Sequence, residues 1–195
     1  GQACWRRGPT AARVDAGGQV VLRRRLGRSQ LEPFFRKLPS AVVGMEACGG
    51  AHHWARLLQQ LGHEVRLMPP AYVKPYVKRN KTDGRDAEAI CEAMQRPNMR
   101  FVAVKTAEQQ AVLALHRVRS LLVRQRTMAA NALRAALAEF GIVARQGRKG
   151  LQELMAELPA TIPAAAHPAL ASLARHWHAL DADIIALEER IVGTA

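Results

Sequence analysis

Residues 41–70 read AVVGMEACGGAHHWARLLQQLGHEVRLMPP. Ala41-Val42-Val43-Gly44-Met45 is a short apolar run, the pattern of a strand buried on both faces. Gly49-Gly50 interrupts it, and Trp54, Leu57, Leu58 and Leu61 then recur at helical spacing. Gly62 stands where a helix commonly closes. Residues 64–68 return to a short strand, stopped by Pro69-Pro70. Strand, helix, strand in this order implies a βαβ unit with a right-handed crossover and parallel pairing. The stretch therefore predicts an α/β domain.

Outward from this unit the patterns change. Residues 1–9 (GQACWRRGP) carry neither a strand nor a helix period. Arg13-Val14 leads through Asp15-Ala16-Gly17-Gly18 into Gln19-Val20-Val21-Leu22, which reads as a β-hairpin. Ser29 is placed to cap a helix that runs to Leu38 and stops at Pro39. Downstream, Asp83 to Met94 reads as a helix, and residues 100–104 as a last strand or an extended connector. Thr106 with Gln109 forms a capping box. The long helix that follows has Leu115, Val118, Leu122, Ala129, Leu133 and Phe140 on its apolar stripe and ends at Gly141. Residues 144–150 read as a polar, basic linker. A final helix covers residues 167–192, with Leu170, Leu173, Trp177, Leu180, Ile184, Leu187 and Ile191 as its stripe. The two long helices predict a helical hairpin or a coiled-coil arm, able to pack within one chain or across a homo-oligomer. The expected division is 1–105 for the α/β domain and 106–195 for the arm.

The 195 residues carry a formal net charge of +13. Residues 1–150 hold 27 Lys+Arg against 10 Asp+Glu, or +17, whereas residues 151–195 hold 2 against 6, or −4. A chain this basic meets a polyanion, most commonly nucleic acid, and the contact surface belongs to the first three quarters. Aromatic residues make up only 5%, which argues against a surface built on many stacked bases. Cys4, Cys48 and Cys91 form an odd, dispersed set that reads neither as a disulfide framework nor as a zinc site. No apolar run reaches membrane-spanning length and no signal peptide opens the chain, so the default is a cytoplasmic protein with no membrane partner.

Glu46 directly follows the apolar run of residues 41–45. A carboxylate at the end of a buried strand is costly unless it is paired or binds metal, and the carboxyl ends of parallel strands are where α/β proteins place their sites. Asp83 and Asp86 are three apart at a helix start, which puts them on one face. Each feature alone is ordinary: a charge turning the chain into solvent, an N-cap with a first-turn Asp. Together, three oxygen donors without Cys or His suit Mg2+ or Mn2+. His52 and His53 are adjacent on a helix and point apart, so they read as surface or packing residues.

The wording around these acids is specific. Gly44-Met45-Glu46-Ala47-Cys48-Gly49-Gly50-Ala51-His52-His53-Trp54-Ala55-Arg56 resembles the glutamate block of DEDD transposases of the insertion-sequence 110 type. Residues 62–78 (GHEVRLMPPAYVKPYVK) are similar to the strand and segment before that family's aspartate block, and Lys81-Thr82-Asp83-Gly84-Arg85-Asp86-Ala87-Glu88-Ala89-Ile90 resembles the aspartate block itself. The resemblance covers residues 11–150, with residues 151–195 similar to the helical connector. It implies a RuvC/RNase-H-like mixed sheet with flanking helices, four acids binding divalent metal, a structured guide RNA, and a serine domain beyond the arm. Glu46, Asp83 and Asp86 match the second, third and fourth acids. The family's first Asp lies on the opening strand, but residues 1–13 contain no Asp and Asp15 falls in the hairpin turn. Both ends of the chain are accordingly expected to be incomplete.

Tyr72, Lys74, Tyr76, Lys78, Arg79 and Lys81 interleave rings with cations, as a nucleic-acid contact does. Arg117, Arg124, Arg126 and Arg134 on the long helix are the further candidate phosphate contacts. Three functions compete: the metal-binding part of a bacterial transposase acting on DNA, a non-catalytic nucleic-acid-binding fragment, and a Holliday-junction-type nuclease.

Overall fold

The computed structural model describes residues 2–5, 10–14, 20–76, 83–143, 145, 147–156 and 160–193. The chain divides into two compact units, residues 1–107 and 108–195. The first is mixed α/β. Its strands are β1 (Gln2–Trp5), β2 (Thr10–Val14), β3 (Val20–Arg25), β4 (Val42–Glu46) and β5 (Glu64–Met68). They form one sheet in the order β3-β2-β1-β4-β5. β1 runs antiparallel to β2, and β2 to β3, so β2 and β3 pair as the two arms of the expected hairpin, whose turn lies outside the described residues. β4 is parallel to both β1 and β5.

The central place of β1 corrects the expectation of a patternless start. Four residues, Gln-Ala-Cys-Trp, are too few to show an alternation, and the strand is defined by ladders on both sides rather than by its own sequence.

β4 is buried along its middle, as its apolar run requires. Strand side chains alternate between faces. Val43 and Met45 join a cluster with Phe35, Ala55, Leu58 and Leu67, on the side covered by α1 (Arg28–Arg36) and α2 (Ala51–Gln60). Val42 packs with Met68, Ile90 and Met94 on the other side, beneath α4 (Asp83–Met94). Ser29 does not cap α1. The cap is Gly27, whose N–H donates to Oε1 of Gln30 at 2.9 Å, with Ser29 already inside the first turn. Gly62, at φ +87°, closes the α2 connection in the left-handed region, where glycine is unstrained.

Between β5 and α4 lie a short helix α3 (Pro70–Val73) and a 3-10 turn at Lys74–Tyr76. Residues 100–104 are an extended connector touching the sheet through one bridge, Val102 N–H to Leu67 O at 2.7 Å. Cys91 on α4 is disulfide-bonded, contrary to the reading of the cysteine set. Spacing along the chain does not reveal which thiols the fold brings within bonding distance.

The second unit consists of α5 (Ala107–Ala138, its first residue in the other unit), α6 (Gly147–Ala156), a 3-10 turn at Ala164–Ala166 and α7 (His167–Val192). Arg119 on α5 pairs with Glu188, and Arg126 with Asp181, so α5 and α7 run antiparallel as a hairpin. The predicted stripes meet inside this unit: Ala129, Leu133 and Leu137 pack with Leu170, Trp177 and Leu180. The basic stretch expected as a linker is instead mostly helix α6, because Leu151 and Leu154 supply an apolar face that docks onto the same cluster. Val118, Leu121, Met128 and Ile185 remain exposed.

Candidate metal centre and nucleic-acid surface

Glu46 is half-buried at the last position of β4. Its strand end is firmly held: Ala47 N–H donates to Met68 O, and Cys48 N–H to Glu46 O, each at 2.8 Å. By the alternation that sends Val43 and Met45 towards α1 and α2, Glu46 belongs to the face of Val42 and Gly44, the face that α4 covers. α4 packs there closely enough that a Cβ on Gly44 would lie 2.8 Å from Sδ of Met94 and 3.2 Å from Cγ2 of Ile90. α4 begins at Asp83 and carries Asp86 three residues on. The carboxylates of Asp83 and Asp86 lie outside the described residues, as does Asp15.

The residue types that the sequence singles out would suit a hard divalent cation, although no group of three or more metal-ligating side chains comes together among the described residues. All three acids offer oxygen. His52, the neighbouring imidazole, is engaged elsewhere: its Nδ1 accepts from the N–H of Lys105 at 3.1 Å. One turn along α2, Arg56 donates to Lys105 O at 2.6 Å. The two side chains clamp both polar groups of one backbone residue in the connector. This role for His52 follows from tertiary placement, to which the His-His spacing gives no clue.

Tyr72 is 43% exposed, Lys74 is exposed, and Tyr76 is half-buried with the Arg96 guanidinium 5.5 Å from its ring centroid. Lys78, Arg79 and Lys81 lie outside the described residues. On α5, Arg117 and Arg124 are exposed, as a phosphate contact needs. The other two arginines are placed differently. Arg126 donates to Asp181 Oδ1 at 2.8 Å, and Arg134 donates to Gly147 O at 2.8 Å. Their guanidiniums tie α5 to α7 and to α6, because the hairpin folds a buried carboxylate and a helix-start carbonyl against that face.

Comparison with known proteins decides the family. The family model for transposases of the DEDD, insertion-sequence 110 type matches residues 9–142. The chain belongs to this transposase family. A probable family 20 transposase of Pseudomonas aeruginosa is 53% identical over 183 residues, covering 91% of this chain and 54% of the relative. A putative transposase of Sinorhizobium fredii, y4pF/y4sB, is 46% identical over 181 residues, 92% of this chain and 47% of the relative. The transposase for insertion sequence element IS1328 of Yersinia enterocolitica is 49% identical over 146 residues, 75% of this chain and 42% of the relative. The chain thus spans about half the length of the curated relatives it matches.

The matched residues of this transposase chain include Glu46, Asp83, Asp86 and the arginines of α5, but end before α7. Asp181 on α7 was not singled out by sequence reasoning. It is 5% exposed and bridges Arg126 and Arg148, the latter at 2.7 Å from Oδ2. An Asp on the otherwise apolar stripe beside Leu180 and Ile184 was the available signal. Among the described residues no helix is long and apolar enough to cross a membrane.

Proposed function

We propose that the chain is the metal-binding, nucleic-acid-gripping part of a DNA transposase, serving strand cleavage and exchange in a bacterial cytoplasm. The observation that carries this reading is the shared face: Glu46 ends β4 on the side on which α4, the helix of Asp83 and Asp86, is packed. These three residues would hold Mg2+ or Mn2+. Such an ion, when bound, assists phosphodiester displacement by activating the attacking oxygen and stabilising the leaving one. A RuvC/RNase-H-like sheet is the matching fold reading, supported by a central β1 flanked by an antiparallel pair on one side and parallel strands on the other.

The charge of +17 over residues 1–150 supports DNA as a partner, together with a structured guide RNA. Lys74, Arg117 and Arg124 are the described cations best placed for phosphate. The exposed apolar positions Val118, Leu121 and Met128 on α5 support self-association through the arm.

A second reading, binding without cutting, is favoured by one observation. β1, the strand on which the family resemblance calls for an Asp, reads Gln-Ala-Cys-Trp. Two metal ions need enough anionic ligands to offset their mutual repulsion, and the sequence offers matches for three of the four acids that the family resemblance calls for. The chain by itself is therefore expected to bind element-end DNA but not to nick it. The test is incubation with Mg2+ or Mn2+, element-end DNA and matching RNA, read on a denaturing gel. A product that disappears in Asp83→Ala would overturn the non-cutting reading. Absence of DNA binding at low salt would overturn the nucleic-acid role itself.

A further inference from the structure

The concave strip beside α3 carries more than the sequence pattern marked. A groove of about 290 Å3 opens between residues 71–76 and residues 96–100. Tyr72, 43% exposed, lines one wall, and Asn98 and Arg100 stand on the other. Arg96 lies over Tyr76 within the same groove. Beyond Arg96 and Met99 a second hollow continues to Phe101, a 42% exposed residue with the Arg66 guanidinium 5.4 Å from its ring centroid. Two exposed aromatic residues, Tyr72 and Phe101, thus lie along one strip, with Arg66 over the Phe101 ring and Arg96 over the neighbouring Tyr76.

The guanidiniums are held in place. Glu92 accepts from Arg96 at 2.7 Å and Glu64 accepts from Arg66 at 2.7 Å. A guanidinium has five N–H donors, so one carboxylate leaves others for a further acceptor. Such an arrangement meets both halves of a nucleotide: a ring to stack on the base, a cation for the phosphate, and the Asn98 amide for the base edge. A duplex keeps its bases stacked inside and offers mainly phosphates to such a surface. An exposed tyrosine and an exposed phenylalanine on a recessed strip therefore favour an unpaired strand. The low aromatic content is no obstacle, since one or two bases suffice.

We infer that the strip from Tyr72 to Phe101 is a subsite for single-stranded nucleic acid, in which unpaired bases stack on Tyr72 and Phe101 and Arg96 and Arg100 meet the intervening phosphates. The inference rests on the nucleic-acid reading above and adds the strand state, the stacking residues and the cations of residues 96–100.

Fluorescence anisotropy on the chain with labelled oligothymidylate, oligouridylate and a duplex of equal length tests it. Stacking of one base is worth about 1–3 kcal/mol, so Tyr72→Ala and Phe101→Ala are each expected to weaken single-strand binding about tenfold, with little change for duplex. Tyr72→Phe, which keeps the ring, is expected to bind like the parent. A preference between the DNA and RNA strands identifies which one occupies the subsite, and equal binding supports a backbone-tolerant stacking site. If the parent binds single strands and both alanine variants bind equally well, the subsite is overturned while the nucleic-acid role stands. If the parent binds no nucleic acid at low salt, both fall together.

Discussion

Gly44 of β4 and Met94 of α4 are in such close approach that a single methyl group on Gly44 would lie 2.8 Å from the Met94 sulfur. Ile90 Cγ2 at 3.2 Å and Met68 Cε at 3.3 Å close the remaining space. Glycine at this position is what lets the aspartate-bearing helix lie flat on the strand that ends in Glu46. The Met94 sulfur and the Met68 methyl are the ends of flexible side chains that can yield to one methyl group, so Gly44→Ala is expected to cost about 1 kcal/mol or less and the bulkier Gly44→Val about 1–3 kcal/mol. Denaturant unfolding read by circular dichroism checks it. An unchanged midpoint for Gly44→Val would mean that α4 is not seated on β4 as described.

In the helical unit, Asp181 is bound by two arginines and is almost fully buried. Its removal leaves cations without their partner, although Arg126 and Arg148 side chains, 27% and 49% exposed, recover part of the loss from water. Asp181→Ala is expected to destabilise by about 2 kcal/mol, and Arg148→Ala by less than Arg126→Ala. The order of the two arginine variants in thermal unfolding is the decisive reading. A larger loss from Arg148→Ala would reverse the assignment of Arg126 as the main strut.

The clamp on Lys105 has a local signature. Its N–H is bonded to His52 Nδ1 and its carbonyl to Arg56. Hydrogen exchange at the Lys105 amide is expected to accelerate in His52→Ala, and the connector to loosen in Arg56→Ala, with the exchange of β4 amides unaltered. Equal exchange in parent and His52→Ala would show that the bond contributes no protection.

Nucleic-acid binding is expected to be strongly salt-dependent, because cations on residues 1–150 displace counterions from phosphates. A surface meeting about six phosphates loses on the order of a thousandfold in affinity between about 50 and 200 mM salt. Arg117→Glu and Arg124→Glu are expected to flatten this dependence. Arg126→Glu is expected to act mainly by weakening the α5–α7 hairpin, which unfolding measurements separate from binding.

What was legible in the sequence follows from how locally each signal is encoded. The β4–α2–β5 unit, the span of α4 and the span of α7 were readable because apolar spacing and stop residues lie within each element. β1 was not readable, since its strand character comes from neighbours on both sides. α6 was hidden because Arg148 and Lys149 made a polar surface of what is also a docked helix with Leu151 buried. For the candidate site, residue type and order single out Glu46, Asp83 and Asp86, and of these the described side chains include only Glu46. The commitments of Arg126, Arg134 and His52 depend on partners more than ten residues away, which no local pattern contains.

The most direct measurement of the central claim is a Mn2+ titration of the chain followed by electron paramagnetic resonance, alongside Glu46→Gln and Asp83→Asn. Both variants keep side-chain size while removing one negative charge, so folding is preserved and only the donor set changes. The expected result is weak, saturable binding of one ion by the parent and a loss of about tenfold or more in affinity in each variant, the scale on which even supporting groups of a metal site act. Parent-like binding in both variants would contradict a metal site built from the end of β4 and the start of α4.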